Sequence, residues 1–200
     1  MKLIRIIFIF IFVIVGIYLI ACLFIPAKYT VERSETFNAP ADIVFEHVGS
    51  FKNWAKWNPW KDKDPEMKTL VGPHDGKTGS YWLWKGQKSG EGRMTSTEII
   101  DQKQLSYHVS FTEPYPSESD GFIKLESEGN QTKVTWMIEG SNPFHRRVLN
   151  LMMDKWNGPE FEKGLSLLKT IVEKEAEIFQ KEYFGYRIKE IKFNGSNLSS

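Results

Sequence analysis

The chain has 200 residues, with 26 Lys and Arg against 25 Asp and Glu, for a formal net charge of +1. The first 27 residues carry Lys2 and Arg5 and no acid, so the remainder holds 24 basic and 25 acidic residues, a net −1 with histidine neutral. That balance, with basic residues scattered among acids, gives no sign of the basic face that nucleic-acid binding requires, and the length suits one domain of ~100–150 residues plus an extension. Cys22 is the one cysteine, so no intrachain disulfide forms and no Cys/His cluster exists. His47, His74, His108 and His145 lack close metal-ligand spacing, and neither a metal nor another cofactor is expected.

From Ile6 to Ile25 no residue is charged and most are Ile, Leu, Val or Phe. At ~1.5 Å per residue this run spans ~30 Å, the thickness of a bilayer's hydrocarbon core. Residues 1–27 are therefore expected to form a membrane anchor, a transmembrane helix that ends at Pro26. The run is too long for the ~7–15-residue apolar region of a cleaved signal. Leu19-Ile20-Ala21-Cys22 resembles a bacterial lipobox, which gives lipoprotein anchoring at Cys22 as the competing reading. The basic Lys2 and Arg5 favour an inside N-terminus and an outer, periplasmic or extracellular, domain.

Beyond the anchor, Tyr29 to Phe37 reads as a strand. A helix follows from about Asn38, with Asn38 or Ala39 near its cap, Pro40 in its first turn and Ile43, Val44, Phe45 and Val48 on its apolar face. A second short helix is expected from Phe51 to Trp57, ahead of Pro59. Strands then recur at Met67–Val71, Gly79–Lys85, Gly90–Asp101, Gln104–Thr112, Glu118–Glu126 and Thr132–Glu139, joined by short turns that imply antiparallel hairpins. Leu105, Tyr107, Val109 and Phe111 share one face, as do Val134, Trp136 and Ile138, so one side of the sheet is covered. In Tyr81-Trp82-Leu83-Trp84 both faces are apolar, and the inward one is left open.

The cover is expected to be a long helix from Pro159 to about Phe184, with Phe161, Leu165, Leu168, Val172 and Phe179 at helical spacing. Gly164 within it would permit close approach to the sheet. Residues 143–156 are expected to be helical too, with a break at Gly158-Pro159. Residues 28–184 then form the domain and 185–200 a tail, with a short strand at 186–193 before a polar, disordered end. The fold class is α+β.

Several runs carry a resemblance: Phe37-Asn38-Ala39-Pro40, the segment Trp54-Ala55-Lys56-Trp57-Asn58-Pro59-Trp60, Gly90-Glu91-Gly92-Arg93-Met94, Thr132 to Trp136, and Phe161 to Leu165. Their order and spacing over Tyr29 to Glu177 resemble the START-like superfamily, and within it the SRPBCC, or polyketide cyclase/dehydrase, branch. The resemblance implies a helix-grip fold, a curved antiparallel sheet wrapped on a long C-terminal helix, with an internal pocket for hydrophobic molecules. Such a family includes lipid-transfer proteins, receptors and cyclases, so it specifies fold better than function.

No nucleophile elbow, phosphate loop or zinc-protease helix is present. Glu98 and Glu139 are the weak candidates for acid/base chemistry, should a strand aim one of them inward. Trp54, Trp57 and Trp60 share a spacing of three, which suits either a lid over the pocket or plain core packing. The expected ligand contacts are Trp82, Trp84, Tyr107, Val109, Phe111, Trp136, Ile138, Leu165 and Leu168. The leading expectation is a membrane-anchored domain that binds a hydrophobic small molecule or lipid. The alternatives are a cyclase/dehydratase-type enzyme and an interaction module with a collapsed pocket; no protein partner is named.

Overall fold

Seven strands with period-two alternation build one antiparallel sheet in the computed structural model, which describes the backbone of residues 2–196 and the side chains of residues 3–183. The strands are β1 (Lys28–Phe37), β2 (Lys68–Val71), β3 (Tyr81–Gly86), β4 (Gly90–Ile100), β5 (Gln104–Glu113), β6 (Ser117–Glu128) and β7 (Gln131–Ser141), in spatial order β1-β7-β6-β5-β4-β3-β2. Only the first connection is long; the others are hairpins or short loops between neighbours. Register shifts at Glu91/Gly92 and Ser96/Glu98 mark irregularities in β4, and bulges of this kind bend a strand and tighten its twist. Leu105, Tyr107 and Val109 are buried on the concave side, and Trp82 and Trp84 join them, so Tyr81 and Leu83 take the convex side.

The helices are α1 (Lys2–Phe24), α2 (Ala41–Val48), α3 (Phe51–Trp54) and α4 (Asn150–Ser196), with 3₁₀ segments at Pro59–Asp62 and Phe144–Leu149. α1 includes an apolar span, Leu3–Phe24, long enough to cross a bilayer. α2 begins at Ala41 with Pro40 as its cap rather than in its first turn. α3 is a single turn, shorter than expected, and Asp75 caps its N-terminus: the carboxylate accepts from Ser50 Oγ (2.6 Å) and from the Phe51 and Lys52 amides. Trp57 lies beyond it in a turn.

α4 crosses the concave face, with Phe161, Leu165, Leu168 and Val172 buried against the sheet and Ala176 as the last buried contact. Phe179, expected on the same stripe, is 63% exposed, because the helix has by then run past the sheet. The expected break at Gly158-Pro159 does not occur. Proline removes one helical hydrogen bond, but Arg33 on β1 ties the turns on either side together, donating to Asp154 (2.8 Å) and Glu162 (2.6 Å). Gly158 makes room for that guanidinium, since a Cβ would collide with it. Likewise a Cβ on Gly164 would come 2.6 Å from the Trp136 ring, so this glycine sets the helix–sheet distance. The strand expected at 186–193 is also corrected: those residues continue α4. Extending a nucleated helix gains one hydrogen bond per residue fixed, whereas a new strand needs a partner edge. Of the tail expected to be disordered, residues 194–196 belong to the helix and 197–200 lie outside the described residues.

The result is a curved sheet gripping one long helix, the α+β helix-grip arrangement. Its core is continuous from Val31 and Phe37 through Trp54, Trp57 and Trp136 to Leu168.

Candidate functional site

Trp136 stands at the centre of the concave face, and the aromatic residues around it divide into two groups. On one side Trp54 packs at 5.9 Å and Trp57 at 5.4 Å, both edge-on, while Phe161 of α4 stacks on Trp136 at 4.3 Å with the rings nearly parallel. Trp54 Nε1 donates to the Val48 carbonyl at 2.8 Å, and Trp57 is completely buried. This side is solid.

The other side is not. A cavity of about 100 Å³ lies between the sheet and α4. Tyr107 and Trp136 form its floor; Trp82, Trp84, Met94, Val109, Phe111 and Ile138 form its sheet walls; Asn157 and Phe161 close it from α4; Trp60, Met67 and Ser89 cover its outer end. Trp84 stands edge-on to Phe111 at 5.1 Å and tilts against Trp82 at 5.4 Å. The Trp84 ring lies over its cross-strand partner Gly92, where any side chain would collide with it. Wider hollows occur around Lys85–Lys88 with Glu113 and around Asp101–Gln104 with Lys124. Those are shallower and lined by charged residues, so the more closed aromatic cavity is the better ligand site.

Polar groups in the cavity are few. The Tyr107 hydroxyl accepts from Trp136 Nε1 (2.7 Å) and donates to the Met137 carbonyl (3.2 Å), so both roles are occupied. Burial pushes its pKa well above the ordinary phenol range and the Trp136 donor offsets only part of that, leaving a neutral phenol at physiological pH. Asn157 Nδ2 donates back to the Met153 carbonyl at 3.0 Å. Ser89 sits in the β3–β4 hairpin, whose position depends on Asp64. One carboxylate oxygen of Asp64 accepts from the Lys88 and Ser89 amides at 2.9 and 3.0 Å. Those amides hold the Asp64 carboxyl below its usual range despite the opposing effect of desolvation. Trp84 Nε1 adds a bond to the Ser89 carbonyl at 3.3 Å.

Trp82, Trp84, Tyr107, Val109, Phe111, Trp136 and Ile138, all expected from the sequence, come together around this cavity. Leu165 and Leu168 do not line it; they are buried further along α4, and Phe161 stands between them and the hollow as its wall. Glu98 and Glu139 are exposed and point to solvent, because the bulge at Ser96/Glu98 and the phase set by Trp136 and Ile138 keep them off the concave face. The tryptophan trio splits: Trp54 and Trp57 are core, while Trp60 covers the cavity.

Trp60, Met67, Ser89, Met94, Asn157 and Phe161 were not among the expected contacts. Met94 pairs with Val109 in the β4–β5 register and was within reach of strand phasing. Ser89 and Asn157 had no signal, since a hairpin tip and a helix turn become neighbours only in three dimensions. No cluster of three His, Cys, Asp or Glu suited to a metal occurs among the described residues.

Residues 28–173 match the model of a family described as polyketide cyclase/dehydrase and lipid transport. No protein of curated function matches by sequence. Among solved structures, a Chromobacterium violaceum protein superposes with a TM-score of 0.54 at 16% identity, covering 72% of this chain and 96% of that one. A Nitrosospira multiformis protein gives 0.54 at 18% identity, with coverages of 74% and 99%. The Aha1 dimer from Colwellia psychrerythraea gives 0.51 at 15%, with coverages of 72% and 96%. At these identities the likeness is one of fold.

Proposed function

The chain belongs to the polyketide cyclase/dehydrase and lipid transport family, and from that premise we propose that it is a membrane-tethered receptor for a small, flat, apolar molecule. The observation that carries this reading is the aromatic cavity itself, partly open and lined almost wholly by apolar side chains. At about 100 Å³ it falls below the roughly 300–1,000 Å³ of pockets for drug-sized ligands. It is nearer the ~150 Å³ apolar cavity that admits a single benzene ring. A whole lipid does not fit unless the hairpin held by Asp64 lifts away; a single ring set against Trp84, Phe111 and Trp136 is nearer the size of the hollow.

The cyclase/dehydratase reading has less support. Among the described residues, no carboxylate or histidine lines the cavity, and its one phenol has both hydrogen-bonding roles taken within the protein.

The tether is α1, exposed along nearly all its length and free of charge from Ile6 to Phe24. Cys22 is fully buried on the face that also carries Tyr18 one turn earlier, which favours a spanning helix over lipidation at that thiol. Lys2 and Arg5 favour the outer side for the domain.

Native mass spectrometry of the full chain, released from nanodiscs, tests the binding claim. A co-purified apolar molecule that disappears on Val109→Phe supports it; a bare protein that also refuses single-ring aromatic probes contradicts it.

A further inference from the structure

The 3₁₀ segment Phe144–Leu149 has no buried residue, although Phe144, Val148 and Leu149 are apolar. The first turns of α4 extend this surface with Leu151, 64% exposed, and Trp156, 51% exposed. The first piece is fastened to the apolar helix and the second to the short link that follows it. Tyr18 donates its hydroxyl to the His145 carbonyl at 2.6 Å, and Asn150 Nδ2 donates to the Pro26 and Ala27 carbonyls at 2.7 and 2.9 Å. Tyr18 lies six residues before Phe24, which at ~1.5 Å per residue is ~9 Å back along the helix. A segment that touches Tyr18 is therefore level with the end of the apolar span, not above it.

Its charge fits the same depth. Residues 143–156 carry Arg146, Arg147 and Lys155, and their one acid, Asp154, is engaged by Arg33. Neither arginine has a carboxylate partner among the described residues. Arg147 lies over the Phe144 ring at 5.5 Å, Arg146 over the Tyr115 ring at 5.7 Å, and Arg147 Nε has no acceptor in the protein. Aromatic and long aliphatic side chains interleaved with basic ones suit the boundary between headgroups and acyl chains, where the apolar parts insert and the cations reach phosphate.

We propose that residues 143–156 are a second membrane contact, a foot that seats the domain on an anionic phospholipid surface beside the spanning helix. This rests on the membrane-tether reading above. Because α4 runs from Asn150 alongside β1, Asn157 and the cavity wall it forms follow directly on the foot, ~10 Å along the helix from Asn150 at seven residues of ~1.5 Å each. The orientation of the cavity to the bilayer is thereby fixed instead of being left to a single swivelling anchor.

The test uses the full chain in phosphatidylcholine nanodiscs with and without phosphatidylglycerol. Hydrogen exchange in peptides covering 143–156 slows when phosphatidylglycerol is present. Arg146→Gln and Arg147→Gln each reduce that protection about fivefold, the effect of one basic group at an anionic surface, while peptides of β5 are unchanged and report an intact fold. In parallel, the fluorescence lost in Trp156→Phe is the fraction that brominated lipids quench, a readout that survives should either arginine variant misfold. An unquenched Trp156 together with exchange insensitive to phosphatidylglycerol overturns the foot. Rapid exchange throughout residues 3–24 overturns the tether instead, so the two failures are distinguishable.

Discussion

Trp57 and Trp60 are three residues apart, identical in chemistry, and within 6.0 Å of the same Trp136 ring, yet one is sealed in the core and the other covers a cavity. What differs is the material brought against each. On the Trp57 side, α2, α3 and the Gly164 face of α4 converge, and a Cβ at Gly164 would already be too close to Trp136. On the Trp60 side, α4 is joined by no further helix, only by a 3₁₀ turn and a hairpin tip, whose amides are gathered by the Asp64 carboxylate. The closely packed side of the core is thus where regular elements meet, and the candidate site is where they run out.

Substitutions that exchange the two sides measure that contrast. The largest effect is expected from Trp136→Ala, which removes a fully buried ring, its stack with Phe161 and its bond to Tyr107. Chemical denaturation should show a loss of ~3–5 kcal/mol. Trp60→Ala, on the open side, should cost only about 1–2 kcal/mol. Equal losses would mean that the two halves are equally packed. An intermediate effect is expected from Val109→Phe, which places a ring in the cavity: stability changes by about 1 kcal/mol, whereas affinity for an apolar probe falls at least tenfold, as calorimetry would report.

The smallest effect concerns the hairpin. The Asp64 carboxyl titrates below the ordinary ~3.9 of aspartate because the Lys88 and Ser89 amides favour its ionised form. Its contribution is therefore complete above that ordinary value and is lost as pH falls through the depressed one. Stopped-flow release of the probe should accelerate in that acid window for the wild type. Asp64→Asn should release quickly at every pH, and an unchanged release rate in that variant would remove the hairpin from the account.

The sequence revealed the sheet readily, because its signal is local. Leu105, Tyr107, Val109 and Phe111 alternate within one strand, and the six strands expected between Met67 and Glu139 are all present with small differences at their ends. Tyr107, Phe111 and Trp136 followed from the same alternation, whereas around Trp82 and Trp84 both faces of the strand are apolar and alternation left the inward one open. Contacts made between elements were not legible in this way. Gly158-Pro159 reads as a break until Arg33, 121 residues from Asp154, is seen to hold both flanks. Residues 186–193 alternate like a strand, but they follow an established helix. Leu165 and Leu168 share a stripe with Phe161, yet only Phe161 reaches the hollow. Which residue on a buried face meets empty space depends on the length and path of what lies opposite, and that is a property of the assembled fold.

Two methionines in the cavity wall, Met67 and Met94, and one on the convex face of β7, Met137, permit the most direct test of whether this hollow is a binding site. With ¹³C-methyl-labelled methionine and the full chain in nanodiscs, titration with indole should shift the Met67 and Met94 methyl resonances to saturation. Met137 should stay in place, and the shifts should vanish in Val109→Phe. Shifts spread equally over all three methyls, or none at Met67 and Met94, would show that the aromatic hollow is a packing defect and not a receptor site.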